Sequence, residues 1–283
     1  MNTIIIAVIS VTVIGAACAA ILCTASKFMY VKVSERLKKM QECLPGTNCG
    51  ACGFPGCAGY AEALLNDADL KTNLCTPGGA EVLAQLSAIL GVEAEEDVEA
   101  KLAVVRCRGD LGAQKRKMEY KGIQTCYAAK QIFGGEGACA FGCMGYGDCQ
   151  LVCPDNAICV EDGLARINPR LCTGCTLCVK ECPSKLITIE KVSVKTVVMC
   201  ENIEKGAVVR KKCTNGCIGC KKCVRECPIG AIALENNLAK INYEECVKCG
   251  HCTEICVTHC IQSLAADNTE VCGRSRELCY ITI

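Results

Sequence analysis

Cys217, Cys220, Cys223 and Cys227, with Pro228 behind the last, are spaced C-x2-C-x2-C-x3-C-P. Three thiolates two residues apart wrap a loop around one face of an iron-sulfur cube, and a thiolate from elsewhere closes it. In this run the fourth cysteine belongs to a second cluster. Cys217, Cys220 and Cys223 are therefore expected to share one [4Fe-4S] cluster with Cys256. Cys246, Cys249 and Cys252 are expected to share the other with Cys227. Pro228 ends the loop, since its ring fixes φ and removes a donor. The chemistry of such sites is one-electron transfer. The rival is structural zinc on four cysteines, which uses pairs of C-x2-C and not triplets closed by Cys-Pro. His251 reads as a hydrogen-bond donor behind the ligands or as an exposed side chain, because the thiolate set around it is already full.

The pattern occurs twice. CPDNAICVEDGLARINPRLC (153–172) realigns on CPIGAIALENNLAKINYEEC (227–246) at an offset of 74 residues. The shift carries Cys172, Cys175, Cys178 and Cys182 onto Cys246, Cys249, Cys252 and Cys256. It also carries Cys126, Cys139, Cys143, Cys149 and Cys153 onto Cys200, Cys213, Cys217, Cys223 and Cys227. Residues 126–186 and 200–260 are thus two copies of one module, each with the signature of a two-cluster ferredoxin. In the first copy Cys153, Cys172, Cys175 and Cys178 form a complete set. The other set holds Cys143, Cys149 and Cys182 but has Tyr146 where Cys220 falls. Either Cys139 supplies the missing ligand, with Gly142, Gly145 and Gly147 letting the longer loop fold back, or one iron stays open. Cys139 is the preferred reading.

Upstream, Cys49, Cys52, Cys57 and Cys75 give C-x2-C-x4-C-x17-C. This spacing is less diagnostic, and zinc competes more strongly here. Gly50, Gly53 and Gly56 allow close backbone approach to the sulfurs; Cys43 precedes the loop and is left out. Cys107, Cys126, Cys200 and Cys213 are further thiols that these sets leave unused. They are enough for one additional cluster, or they are buried reduced thiols packing as small hydrophobes, the reading preferred at this point.

These sites need elements to position them. Of 283 residues 31 are cysteine, none is Trp, and aromatics make up 4%, so something other than aromatic packing holds the modules together. A formal charge of +1 argues against a generic nucleic-acid binder, and two His without a nucleophile signature argue against an ordinary hydrolase. Ile4–Cys23 is uncharged and spans about 30 Å as a helix, the thickness of a bilayer core. Nothing basic precedes it, unlike a signal peptide. Lys27, Lys32, Arg36, Lys38 and Lys39 follow, against Glu35 alone, which places the remaining chain in the cytoplasm. Cysteines stay reduced there and ligate metal. Gly15 and Ala19 offer a small-residue face to another helix or to lipid. Helices are expected at Ala58–Asp69 and at Ala80–Leu90 ahead of Gly91. An acidic stretch at Glu93–Glu99 and a short strand at Lys101–Cys107 follow.

An apolar anchor, a CGACGFPGC…C module and C-x2-C-x2-C-x3-C-P repeats together resemble the B subunit of the Rnf complex, over essentially the whole chain. The N-terminal motif alone is also similar to one in corrinoid iron-sulfur proteins. The resemblance implies a membrane-bound ferredoxin:NAD+ oxidoreductase that couples electron flow to Na+ or H+ translocation. It further implies cluster ligation by Cys49, Cys52, Cys57 and Cys75, and reduced ferredoxin as donor. Tyr146, and Val257 in place of Pro after Cys256, depart from the pattern.

The expected architecture is α+β: an N-terminal transmembrane helix, a small helical iron-sulfur module, then two tandem ferredoxin-like (two-cluster) domains. The divisions are an anchor at 1–26, a basic juxtamembrane segment at 27–42, a [4Fe-4S] module at 43–78 and a linker at 79–125. The first repeat at 126–186, a connection at 187–199, the second repeat at 200–265 and a tail at 266–283 complete the chain. Five [4Fe-4S] clusters on twenty thiolates make an electron wire with no catalytic acid or base. Absence of a glycine-rich dinucleotide motif assigns NAD and flavin to other membrane and peripheral subunits. A single-pass inner-membrane protein of cytoplasmic bulk, contacting no nucleic acid, is expected. The alternatives are a polyferredoxin arm of another membrane reductase or hydrogenase, and a metal-binding or cluster-scaffold protein. One charge asymmetry stands out. Lys205, Arg210, Lys211, Lys212, Lys221, Lys222 and Arg225 face only Glu201 and Glu204 in the second copy, a surface for an acidic donor, another subunit or solvent.

Overall fold

The computed structural model describes residues 2–28, 34–67, 69–93 and 100–264. Helix α1 (Asn2–Phe28) extends the expected apolar run at both ends, to about 40 Å. Its Ile4–Lys27 stretch is long and apolar enough to cross a membrane, with mean hydropathy 2.7 and no burial against the rest of the chain. Ser10, Thr12 and Thr24 donate their hydroxyls to carbonyls one turn back, which hides their polarity within the helix. Lys32, residues 94–99 of the acidic stretch and the tail at 266–283 lie outside the described residues.

Three helices build the next unit: α2 (Glu35–Cys43), α3 (Cys57–Asn66) and α4 (Gly79–Leu90). Ser34 caps α2 by accepting from the Leu37 amide at 3.1 Å. Gly91, at φ 75°, stops α4 where expected. Helix α3 ends before the expected Asp69, because the Asp67 carboxylate accepts from the Asp69 amide at 3.0 Å and turns the chain. Met40, Tyr60, Leu64 and Leu86 form the shared core, with Cys75 at its edge.

The remaining chain folds as four two-stranded antiparallel sheets among the described residues. They pair β1 (Lys101–Val105) with β4 (Ile187–Lys191) and β2 (Ile158–Glu161) with β3 (Leu164–Ile167). They also pair β5 (Thr196–Val198) with β8 (Ile261–Ser263) and β6 (Ile232–Glu235) with β7 (Leu238–Ile241). Two-residue turns close the β2–β3 and β6–β7 hairpins. Asp162-Gly163 and Asn236-Asn237 all take positive φ there, the twist that such hairpins require. Gly145 and Gly219, 74 residues apart, run so close to these turns that a Cβ would meet the carbonyls of Gly163 and Asn237 at 2.4 and 2.9 Å.

The strand expected in the linker has another role. β1 closes the sheet of the first repeat, pairing Val105 with Ile187 as Val198 pairs with Ile261 in the second. Leu102 through Val105 are buried, so this segment is core rather than connection. The closing strands stand 93 residues apart, whereas the hairpins stand 74 apart. The first repeat therefore holds nineteen extra residues between its closing strand and its cysteine loop, and helix α5 (Cys126–Gln131) lies among them. The second repeat places α8 (Gly206–Lys212) in the corresponding stretch. Single turns of helix, α6 (Asp148–Leu151), α7 (Leu177–Glu181), α9 (Lys222–Arg225) and α10 (His251–Ile255), carry Cys149, Cys178, Cys223 and Cys252.

Candidate metal centres

The N-terminal loop brings Cys49, Cys52, Cys57 and Cys75 together. Burial pushes the Cys75 thiol up, the Gly78 amide bonded to its sulfur opposes this, and the thiols of Cys57, Cys52 and Cys49 add to the rise. Asn48 accepts from the Cys57 amide at 2.9 Å and so fixes the start of α3. The Tyr60 hydroxyl reaches the Lys71 carbonyl at 2.9 Å, which draws the Cys75 segment onto the helix.

In the first repeat Cys178, pushed up to about 12 by burial, has Cys172, Cys175 and Cys153 as its charged neighbours. In the second, burial pushes Cys223 up to about 11, with Cys217, Cys220 and Cys256 beside it. Cys227 lines one cavity with Cys246, Cys249 and Cys252, and Cys223 of the preceding set borders it too. The spacing assigns the same thiols to crossed ligand sets. His251 is half exposed beside Glu254, at 3.8 Å.

The remaining set differs from expectation. Burial pushes Cys149 up to about 12, and the thiols next to it are Cys143, Cys126 and Cys182. Cys143, also raised by burial, neighbours Cys126 and Cys182. Cys126, and not the expected Cys139, is the further thiol beside them. Thr125 caps α5 through the Ala128 amide, and the buried Asp148 carboxylate accepts from the Cys126 and Tyr127 amides at 2.9 and 3.1 Å. The sulfur of Cys126 then receives the amides of Asp148, Tyr146 and Gly147. Cys139 instead lines a second cavity with Cys107, Cys200 and Cys213. Spacing offers no sign of this exchange, since Cys126 enters from the inserted residues.

One further thiol has no mark in the spacing. Cys260, fully buried, lies 3.6 Å from the Cys256 sulfur and bonds also to Cys217. Its S–H holds both thiols well below the usual cysteine range, Cys256 down to about 4. Its counterpart at the 74-residue offset is Leu186, so it reads as core.

The thiol groups suit iron-sulfur cubes better than single ions. Tetrahedral zinc, at about 2.3 Å from each sulfur, needs sulfurs about 3.8 Å apart. Among the described residues no three Cys, His, Asp or Glu side chains converge closely enough for one metal ion. Backbone amides point at the sulfurs, as from Ala103 to Cys172 at 3.3 Å, Ala157 to Cys153 at 3.3 Å and Leu186 to Cys182 at 3.4 Å. Such bonds favour thiolate and tune cluster potential.

A family model described as "Putative Fe-S cluster" matches residues 44–77, and two described as "4Fe-4S dicluster domain" match 171–232 and 210–257. The B subunit of the Na(+)-translocating ferredoxin:NAD(+) oxidoreductase complex of Acetobacterium woodii is 39% identical over 241 residues, 85% of this chain and 72% of the relative. The B subunit of the proton-translocating ferredoxin:NAD(+) oxidoreductase complex of Clostridium ljungdahlii is 38% identical over 261 residues, 92% and 91% of the two chains. The chain belongs to this B-subunit family. The B subunit of the ion-translocating oxidoreductase complex of Methanosarcina acetivorans is 38% identical over 250 residues, 88% and 94% of the two chains. The chain is thus an iron-sulfur protein of mixed helix and strand, with 4Fe-4S dicluster domains behind an apolar N-terminal helix.

Proposed function

We propose that this protein receives electrons from reduced ferredoxin and conducts them into a membrane ferredoxin:NAD+ oxidoreductase that translocates Na+ or H+. Five [4Fe-4S] sites would serve, the N-terminal one followed by two tandem two-cluster ferredoxin-like units on the cytoplasmic side of the membrane. The ligand sets are Cys49, Cys52, Cys57 and Cys75; Cys153, Cys172, Cys175 and Cys178; and Cys126, Cys143, Cys149 and Cys182. In the second unit they are Cys217, Cys220, Cys223 and Cys256, and Cys227, Cys246, Cys249 and Cys252. When bound, such a cluster stores and returns one electron.

The observation that carries this reading is that successive thiol sets lie within electrostatic reach of one another. Cys49 of the N-terminal module neighbours Cys175, and Cys149 neighbours Cys178. Lys180 pins the first pair of sites by donating to the Cys49 carbonyl at 2.7 Å. Eight of these twenty cysteines are buried and ten half-buried, whereas Cys220 and Cys249 reach the surface, Cys220 beside Lys221 and Lys222. Electron arrival there and departure near the N-terminal module, next to α1, follows from this order. Mixing the full-length chain anaerobically with reduced ferredoxin tests the reading. Rapid bleaching of its visible absorption is expected; zinc in place of iron, or clusters that ferredoxin fails to bleach, would sink it.

A further inference from the structure

We propose that Cys107, Cys139, Cys200 and Cys213 hold a sixth [4Fe-4S] cluster, built at the seam between the two repeats. The proposal rests on the five-site reading above and adds to it.

Two of these thiols come from each repeat, and they come from matching places. Cys107 stands two residues past Val105 at the end of β1, and Cys200 two past Val198 at the end of β5. The residues before them, Arg106 and Met199, donate to the Leu186 and Cys260 carbonyls, both at 2.7 Å. Cys139 and Cys213 each precede the first cysteine of their loop, Cys143 or Cys217, by four residues. The site is thus made of two equivalent pairs facing each other, which isolated buried thiols would have no reason to form.

The seam itself is ordered by backbone. Gln114 bridges to Cys213, the Lys115 amide reaches the Lys212 carbonyl at 2.9 Å, and the Thr214 amide reaches the Ala113 carbonyl at 3.0 Å. Arg106 pairs with Glu201 at 2.7 Å across it. The four thiols line one cavity together, as Cys227, Cys246, Cys249 and Cys252 do in the second repeat.

Each sulfur is supplied with donors as a cluster ligand would be. Cys107 accepts from Gly109 at 3.3 Å and from the Cys143 amide. Cys200 accepts from the Cys217 amide at 3.3 Å and from Asn202. Cys213 accepts from the amides of Asn215 and Gly216. The Asn202 side chain, 1% exposed, aims its Nδ2 at Cys139 Sγ at 3.3 Å. Cys143 and Cys217 belong to the flanking sets, so one peptide hydrogen bond joins this site to its neighbour on either side. A relay running the length of the chain needs a site in this position.

Iron, acid-labile sulfide and EPR spin count on the anaerobic full-length chain test the proposal. Six cubes give about twenty-four irons, and five give about twenty. The Cys200→Ser, Cys213→Ser double variant should lose about four irons and one reducible spin. Cys107→Ser alone is milder, and after oxidation it should show a three-iron EPR signal absent from the parent. Cys43→Ser, outside every set, should change nothing. About twenty irons in the parent, unaltered in the double variant, would overturn the sixth site and leave the five-site reading standing. A parent with far fewer than twenty would instead remove that reading. If the double variant misfolds and sheds all iron, Cys107→Ser decides: unchanged iron without the three-iron signal refutes the proposal.

Discussion

The amide of Tyr146 points at the sulfur of Cys126. Tyr146 stands where the second repeat has the ligand Cys220, and its own side chain turns away to hydrogen bond with Glu136. Under the proposed ligand sets the loop keeps its course while the fourth thiol comes from a different part of the chain. Helix α5 delivers it, anchored by the two bonds from its first turn to Asp148.

Cys126→Ala should consequently cost about four irons per chain and leave the Cys153 set loaded. Adding Tyr146→Cys recreates the C-x2-C-x2-C-x3-C spacing and should restore them. The same Tyr146→Cys change should fail to rescue Cys139→Ala, and the two alanine variants together should lose about eight. Iron analysis of the five variants checks this; equal losses in single and double alanine variants would put Cys126 and Cys139 on one cluster.

The repeat offset made the hairpins legible and is the ground for the proposed crossed sets, because the spacing of cube ligands would be set by the cube. Helix α4 was legible from its periodicity and Gly91, and α1 from its uninterrupted apolar run. Pairing across the insertion was not. At constant offset Cys200 falls on Cys126, yet sheet register puts Cys107 in its place, and nineteen inserted residues carry no mark of where they begin. β1 was legible as a strand but not as part of a sheet, since its partner β4 lies more than eighty residues away. Cys260 was hidden for another reason. A buried cysteine beside two ligands has the same sequence signature as a small core residue.

Crossed ligation separates neighbouring clusters chemically. Cys227→Ala should damage the cluster on Cys246, Cys249 and Cys252, whose cavity it completes, and spare the one on Cys217, Cys220 and Cys223. Mössbauer and EPR spectra, read against those of Cys220→Ala, distinguish the two losses. Matching spectra for the two variants would mean that the four consecutive cysteines bind a single cluster.

Cys260 offers a test of tuning without loss of a ligand. Its sulfur lies 3.6 Å from that of Cys256, and its single S–H stabilises negative charge on whichever of Cys256 and Cys217 it donates to. Added charge on the reduced cluster makes that bond worth more after reduction. A hydrogen bond of about 1 kcal/mol corresponds to about 40 mV for one electron. Cys260→Leu, which copies Leu186 of the first repeat, should keep the iron count and lower one midpoint potential by tens of millivolts. An EPR-monitored redox titration reads this; an unmoved potential would show that the thiol is only packing.

The last prediction concerns donor docking. Arg210, Lys211, Lys221 and Arg225 are exposed, as is Cys220, whereas Lys212 is engaged by Glu204 at 2.6 Å. Lys212 is therefore better left intact, since reversing it would break an internal ion pair and confuse stability with steering. Small ferredoxins are acidic under the proposed function, and like-signed charges around one cluster edge raise the encounter rate more than the final affinity. Reversal of Lys211, Lys221 and Lys222 to Glu should slow reduction by ferredoxin at low ionic strength by roughly tenfold or more. At 0.5 M salt the gap between variant and parent should close, because the screening length falls to about 4 Å and the parent itself loses its steering. Reduction by a small uncharged mediator should be equal in both, which excludes damage to the cluster. Stopped-flow bleaching across a salt series makes the measurement. Equal ferredoxin rates at low ionic strength would move the docking site to another face.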